Sequence, residues 1–259
     1  MISNQAFIHS DASLGKNVTV EPFAYIAGDV EIGDDSWIGP NATVLDGTRM
    51  GSNCNVFPGA VISGIPQDMK FAGEETTTQI GNNCTFREGA TINRGTRALG
   101  ETIIGNNCLM MANSHVAHDC ILGDNIILVN NVMLGGEVKL DDYVIMGGGS
   151  AAHQFTRVGA HAMISGGAMF KKDIPPYAII NNEPVGFAGL NKIGLRRRGF
   201  NQQQIDEIEE IYKVIYFSGR NISQAIQYLK ENFKPTEELN YIVDFVSNSK
   251  RGILKSSIK

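Results

Sequence analysis

The chain has 259 residues, 42% hydrophobic and only 19% charged, which is enough for one large domain and a small one. A net charge of −5 argues against bulk attraction to nucleic acid, and there is no run of about 18 apolar residues to span a membrane. The first seven residues lack the basic and apolar regions of a signal peptide, so a cytoplasmic home is expected.

From the N-terminus a six-residue beat organises the chain. Ile8, Leu14, Val20, Ile26, Ile32, Ile38, Val44, Met50, Val56 and Ile62 are all aliphatic or Met. The series resumes at Ile80, Phe86 and Ile92, and again at Ile104, from where it runs to Phe170. Two residues before each of these the side chain is usually small, as at Ala12, Ala24, Ser36, Ala42 and Ala60. A helix of period 3.6 cannot hold a beat of six, whereas short strands joined by tight turns can. One large and one small inward residue per side fill a narrow prism. Three sides close one coil in about 18 residues, and stacked coils lie about 4.8 Å apart. Glycine often follows the large residue (Gly15, Gly33, Gly51, Gly81, Gly105) and reads as the source of unusual turn angles. The repeat alone predicts the commoner right-handed crossover. Cys54, Cys84, Cys108 and Cys120 all fall in the small inward phase without CxxC spacing. They read as reduced core fillers rather than metal ligands or nucleophiles.

Two segments break the beat, at about 63–79, which contains Gln67-Asp68-Met69-Lys70, and at about 96–102. Each is either a tolerated insertion or a loop carrying function. Beyond Phe170 an irregular section leads to Leu195-Arg196-Arg197-Arg198-Gly199-Phe200, where the period turns helical. Ile205, Ile208, Ile211, Tyr212 and Ile215 mark one helix, and Ala225, Ile226 and Leu229 a second. Thr236 caps a third that carries Ile242, Val243 and Val246. The expected division is a repeat domain over 1–190 and a helical domain over 191–259.

The stretch from Asn113 to Cys120 holds two of the five histidines. Counting by coils stacks Gly136 on His118 and puts Gln154 one coil further, with His153 beside it. A histidine base near a glycine N–H suits acyl transfer, with Asp119 orienting the imidazole. The plainer alternatives are solvated surface histidines and an ordinary turn glycine. A further alternative is a zinc site made of His115, His118 and a neighbouring chain's histidine, as in hexapeptide-repeat carbonic anhydrases.

The repeat resembles that of the hexapeptide-repeat acyltransferases. That implies a mainly β fold, a left-handed parallel β-helix, here followed by a small C-terminal α-helical domain. The His115-x-x-His118-Asp119-Cys120 core and Gln67-Asp68-Met69-Lys70 narrow the likeness further. So do Ala152-His153-Gln154-Phe155 and Gly194-Leu195-Arg196-Arg197-Arg198-Gly199-Phe200. Together, over essentially the whole chain, they resemble the UDP-N-acetylglucosamine acyltransferases of lipid A biosynthesis. The resemblance implies transfer of a 3-hydroxyacyl chain from acyl carrier protein to the 3-hydroxyl of UDP-N-acetylglucosamine. This would be the first step of lipid A biosynthesis, run by a general base without an acyl-enzyme, and with no metal or cofactor beyond the phosphopantetheine that delivers the acyl chain. It implies His118 as base, Asp119 as its partner and the Gly136 N–H as oxyanion donor. Gln67, Asp68 and Lys70 would hold the sugar nucleotide, and His115, His153 and Gln154 would line the site. Asn191 and Arg197 would face the nucleotide or phosphopantetheine, and Gly166 would set acyl length. The basic residues Lys192, Arg196 and Arg198 are the candidates for binding the acidic carrier protein. The family is homotrimeric, with sites between subunits, and cytoplasmic in Gram-negative bacteria. Gly166 falls on a different prism face from His118, which fits a site shared by two chains. Two residues depart from the family pattern: Glu137 and Asn93 stand where histidine is usual or common. Neither the uridine-binding domain of the related N-acyltransferase nor the nucleotidyltransferase domain of the bifunctional enzyme precedes the repeat. An acetyl-CoA-dependent transferase is the alternative within the enzyme class, and a noncatalytic scaffold is the alternative outside it.

Overall fold

The computed structural model describes residues 1–258. Three parallel sheets form the faces of a prism. The first face runs from Phe7–Ile8 to Met169–Phe170 and the second from Ser13–Leu14 to Arg157–Val158. The third runs from Thr19–Val20 to Met163–Ile164. Residues 18 apart pair across neighbouring coils, as in the run His115, Met133, Ala151 and Met169. The large residues of the six-residue beat point inward, so Ile26, Ile38, Val44, Val56 and Ile62 are fully buried beside Ala42, Cys54 and Ala60. The coils therefore stack into a left-handed parallel β-helix.

Both the handedness and the turn chemistry differ from what the beat alone predicts. The right-handed rule rests on a twisted strand feeding a packed crossover helix. Here the crossovers are tight corners, nearly all turned by one residue of positive φ. Asn and Asp are the commonest of those residues, and none is a glycine that follows the large residue. Asn17, Asp35, Asn53, Asn83, Asn107 and Asn125, between the second and third faces, all lie at φ of 56–59°. The side-chain amides of Asn17, Asn53 and Asn83 bond coil to coil at about the ordinary distance, for example Asn53 Nδ2 to Asn83 Oδ1 at 2.8 Å. The glycines serve close approach instead. A Cβ at Gly33 would meet the Gly51 carbonyl carbon at 2.6 Å, and one at Gly105 the Asp124 carboxylate at 2.4 Å.

Both interruptions leave from the corner between the first and second faces. The first joins Val61–Gly64 to Thr77–Ile80, and the second joins Thr91–Asn93 to Glu101–Ile104. They stretch the coil step to 30 and then 24 residues. The two loops are tied together. The Thr76 hydroxyl donates to Gly95 O at 2.6 Å, the Arg97 N–H to Glu74 at 3.0 Å, and Arg94 stacks on Phe71.

The section after Phe170 is more ordered than the sequence suggests. Ala178–Asn182 and Val185–Leu190 form an antiparallel hairpin that closes the third face. A short helix α1 (Lys192–Arg197), which the periodicity does not signal, precedes α2 (Gln202–Phe217), α3 (Ile222–Asn232) and α4 (Glu237–Ser247). Asn201 and Asn221 start α2 and α3 as capping boxes with Gln204 and Gln224, and Thr236 caps α4. The Tyr212 hydroxyl donates to Pro176 O at 2.6 Å, and Tyr241 donates to Asp141 while accepting from the Ala160 N–H. These bonds fasten the helices to the last coils. Among the described residues, no helix is long and apolar enough to cross a membrane.

Candidate active site

His118 and Asp119 sit on the first corner, immediately beyond the strand His115–Val116. Asp119 occupies the turn phase that Asn113, Asn125 and Asn131 fill elsewhere, at φ of 60°. That backbone conformation lets two consecutive side chains meet. His118 Nδ1 lies 2.7 Å from Asp119 Oδ2.

The carboxylate is fully buried and saturated with donors. The N–H groups of Thr96 and Leu99 donate to Oδ1 at 2.9 and 3.2 Å, and the Thr96 hydroxyl donates to Oδ2 at 2.6 Å. Burial alone would push the carboxyl up. The bonds from Thr96, His118 and Leu99 outweigh it and hold Asp119 below its ordinary range. An ionised Asp119 fixes the proton of neutral His118 on Nδ1 and leaves a lone pair on Nε2. Asp68, from the first insertion, brings its Oδ2 to 4.0 Å from that atom. Its other oxygen accepts from the Lys70 N–H at 2.9 Å. The Gln67 and Lys70 side chains are exposed beside it.

The coil count puts Gly136 against His118, and the contact is close. A Cβ at residue 136 would stand 2.6 Å from His118 Cε1 and 2.7 Å from Nε2. The Gly136 N–H makes no hydrogen bond to any described residue, while the next N–H, of Glu137, donates to the His118 carbonyl at 3.0 Å. A base with a free lone pair and an unused backbone donor therefore lie side by side. His115 is half-buried with Nδ1 2.8 Å from the Thr91 hydroxyl, and burial, helped by His118, lowers its pKa. With the Nδ1 atoms of His115 and His118 both engaged, each ring has only Nε2 to offer a metal. His153 and Gln154 are exposed one coil beyond Gly136, where Arg251 reaches His153 Nδ1 at 3.1 Å. Asn93 is buried with Nδ2 on the Ile65 carbonyl, so it braces the first loop.

The remaining candidates lie elsewhere on the chain. Asn191, Lys192, Arg197 and Arg198 line a cleft of about 600 Å³ on the third face, with Ile145 and Met163. That face is opposite the His118 corner. The Asn191 amide is committed internally. It caps α1 through the Gly194 N–H at 3.1 Å and donates to the His161 carbonyl at 3.0 Å. Arg198 lies over the Tyr143 ring and 3.5 Å from His161 Nδ1, and Lys192 pairs with Glu209 at 2.7 Å. Arg196 bonds Gln202, which leaves Arg197 as the basic side chain of this run with no hydrogen bond to a described residue. Gly166 is exposed on the third corner, between the third and first faces. One chain thus brings His118, Asp119, Gly136, Asp68 and His115 together, and leaves Gly166, Asn191 and Arg197 apart from them. Nothing periodic in the sequence singles out Thr96 or Leu99, which supply most of the bonds to Asp119.

Residues 29–64 and 101–136 match the family described as bacterial transferase hexapeptide repeats. Residues 173–254 match domain 2 of the UDP-N-acetylglucosamine O-acyltransferases. The chain is 38% identical to the acyl-[acyl-carrier-protein]–UDP-N-acetylglucosamine O-acyltransferase of Rhizobium johnstonii, over 95% of this chain and 91% of that one. Its counterpart in Xanthomonas campestris is 41% identical over 91% and 95%. Among solved structures, the UDP-N-acetylglucosamine acyltransferase of Bacteroides fragilis superposes with a TM-score of 0.96 at 48% identity, covering 98% of this chain and all of that one. The Francisella novicida enzyme gives 0.96 at 36% identity, with 100% and 95% covered.

Proposed function

The chain belongs to the UDP-N-acetylglucosamine O-acyltransferase family, and from that premise we propose that it moves a 3-hydroxyacyl chain from acyl carrier protein to the 3-hydroxyl of UDP-N-acetylglucosamine, the first step of lipid A biosynthesis. The observation that carries the reading is the His118–Asp119 pair set against the unused Gly136 N–H. His118 Nε2 takes the proton of the sugar hydroxyl as its oxygen attacks the thioester carbonyl. The Gly136 N–H receives the developing oxyanion, and buried Asp119 steadies the imidazolium. Collapse expels the phosphopantetheine thiolate, which recovers the proton from His118. Transfer is direct. The nearby thiol, Cys120, is pushed up to about 12 by burial and donates to the Gly135 carbonyl, which disfavours an acyl-cysteine.

Gln67, Asp68 and Lys70 would hold the sugar nucleotide at this corner, with His115, His153 and Gln154 extending the site. Gly166 and Arg197 join it only from a second chain, because they lie on other sides of the prism. The outward residues support a trimer packed through the first and third faces. These carry Tyr25, Met133 and Met169, and Trp37, Leu109 and Ile127, whereas the second carries Glu31, Arg49, Lys139 and Arg157. In that arrangement Asn191 shapes α1 rather than binding through its amide, and Lys192, Arg196 and Arg198 form a basic rim toward the acidic carrier protein. The substrates belong to the cytoplasm, and the reaction needs no resident cofactor.

The test is transfer to UDP-N-acetylglucosamine from 3-hydroxyacyl carrier proteins of several chain lengths and from acetyl-CoA. Wild type is compared with His118→Ala, and both are sized by sedimentation. Transfer from a hydroxyacyl carrier protein, lost by about a thousandfold or more in a still-trimeric His118→Ala, is expected. An active His118→Ala, or transfer from acetyl-CoA alone, refutes the reading.

A further inference from the structure

We propose that Thr96 is a positioning residue for acyl transfer: its hydroxyl, acting through Asp119, holds the His118 ring with Nε2 free and limits the negative charge facing Nδ1. The proposal rests on the reading of His118 as the base. Thr96 is only 6% exposed, and its hydroxyl bonds the same carboxylate oxygen, Oδ2, that faces His118 Nδ1. The two bonds are 2.6 and 2.7 Å long, so donor and imidazole share one acceptor.

The loop is built to hold Thr96 there. Its carbonyl accepts from the Gly100 N–H at 2.7 Å, and its Oγ1 accepts from the Ala98 N–H at 3.2 Å. The preceding carbonyl, of Gly95, is pinned by the Thr76 hydroxyl of the first insertion. On the other side, the Asp119 N–H donates to Thr102 Oγ1 at 2.8 Å. The second insertion therefore ends as a clamp on Asp119 rather than a loop in solvent.

A donor on Oδ2 withdraws charge from the oxygen that stabilises the His118 imidazolium. Removing it leaves more negative charge on the oxygen that faces Nδ1, which holds the imidazolium more tightly and moves the acid limb of the rate profile upward. The other groups facing this pair are Asp68 from the first insertion, His115 on the same strand, Glu137 on the next coil and the Cys120 thiol. All of these remain when Thr96 alone is changed.

The experiment measures kcat and KM against pH for wild type, Thr96→Val, Thr96→Ser and His118→Ala. Thr96→Val is expected to lower kcat roughly tenfold or more, to leave KM for both substrates within about twofold, and to move the acid limb up by about one pH unit. Thr96→Ser, which keeps the hydroxyl, restores both rate and limb. A Thr96→Val limb that overlays the wild type, or a Thr96→Ser as impaired as Thr96→Val, overturns the proposal. If Thr96→Val does not fold, Thr96→Ala is read in the same way. An active His118→Ala instead overturns the base assignment beneath it, an outcome that does not involve Thr96.

Discussion

Asp119→Asn separates the chemistry of the pair from its architecture. Asparagine holds the same turn conformation at Asn113, Asn125 and Asn131, so a φ of 60° costs nothing new. The N–H groups of Thr96 and Leu99 both aim at Oδ1, so the asparagine carbonyl must take that place. Its amide nitrogen then falls at the Oδ2 position, facing the Thr96 hydroxyl and His118 Nδ1. The hydroxyl can turn to accept. His118 must accept at Nδ1 and therefore carries its proton on Nε2, the atom proposed to take the substrate's proton. Stability should fall by only about 1–2 kcal/mol, the difference between charged and neutral bonds at one oxygen. Activity should fall by about three to four orders of magnitude. Asp119→Ala is the contrasting variant. It strands the Thr96 and Leu99 N–H groups and a hydroxyl and puts a less tolerant residue at positive φ, for a loss of about 3–5 kcal/mol. Urea unfolding and kcat/KM on the three proteins test both halves. An Asp119→Asn enzyme within tenfold of wild type at neutral pH would refute control of the imidazole tautomer by Asp119.

Gly136→Ala should lower kcat/KM by about a hundredfold while the protein stays folded, because the new Cβ would stand 2.6 Å from His118 Cε1 and must displace the ring. Steady-state kinetics beside a thermal melt check this. His161 is held down to about 4 by burial and by the Arg198 charge, against about 6.5 in the unfolded chain. As pH falls between those values the unfolded chain takes up the proton first, so stability should drop by up to about 3 kcal/mol, less some screening. Denaturant midpoints against pH should show a shallower slope in His161→Asn, which keeps the turn conformation of residue 161. Met133→Glu puts a charge on the apolar outer surface of the first face, where Met133 is 51% exposed in the single chain. Sedimentation should show the proposed trimer dissociating at a concentration at least tenfold higher than for wild type, with the coil itself intact.

Much of the fold was legible because it is periodic. A beat of six decides which residues point inward, and once Met110 through Phe170 run without interruption, counting by 18 lays Gly136 on His118 without further information. The start of α4 was legible too, since Thr236 caps by local chemistry alone. What was not legible depends on partners remote in sequence. Arg198 reads as a free cation until the Tyr143 ring is found beneath it, and Asn191 reads as a ligand until the His161 carbonyl and the Gly194 N–H take its amide. The corner chemistry was visible but attributed to the wrong residue. Asn17, Asp35, Asn53, Asn83 and Asn107 recur in one phase, and that recurrence marked the positive-φ position better than the glycines did.

The placement of the site follows from what a regular coil can and cannot supply. On the corner between the second and third faces, the Asn17, Asn53 and Asn83 amides are each spent on the neighbour in the next coil, which ties that edge together. A base needs a buried acid whose oxygens receive donors that no adjacent coil offers. The first corner alone is broken twice, and both breaks lie just ahead of His118. One loop delivers Asp68 toward Nε2, and the other delivers the Thr96 and Leu99 donors to Asp119. The coil then resumes without a break, so Gly136 arrives in strict register against the ring. Periodicity sets the distance between the proposed base, His118, and the proposed oxyanion donor, Gly136, and its interruption sets the surroundings of the His118–Asp119 pair. Either alone would leave a histidine on a turn.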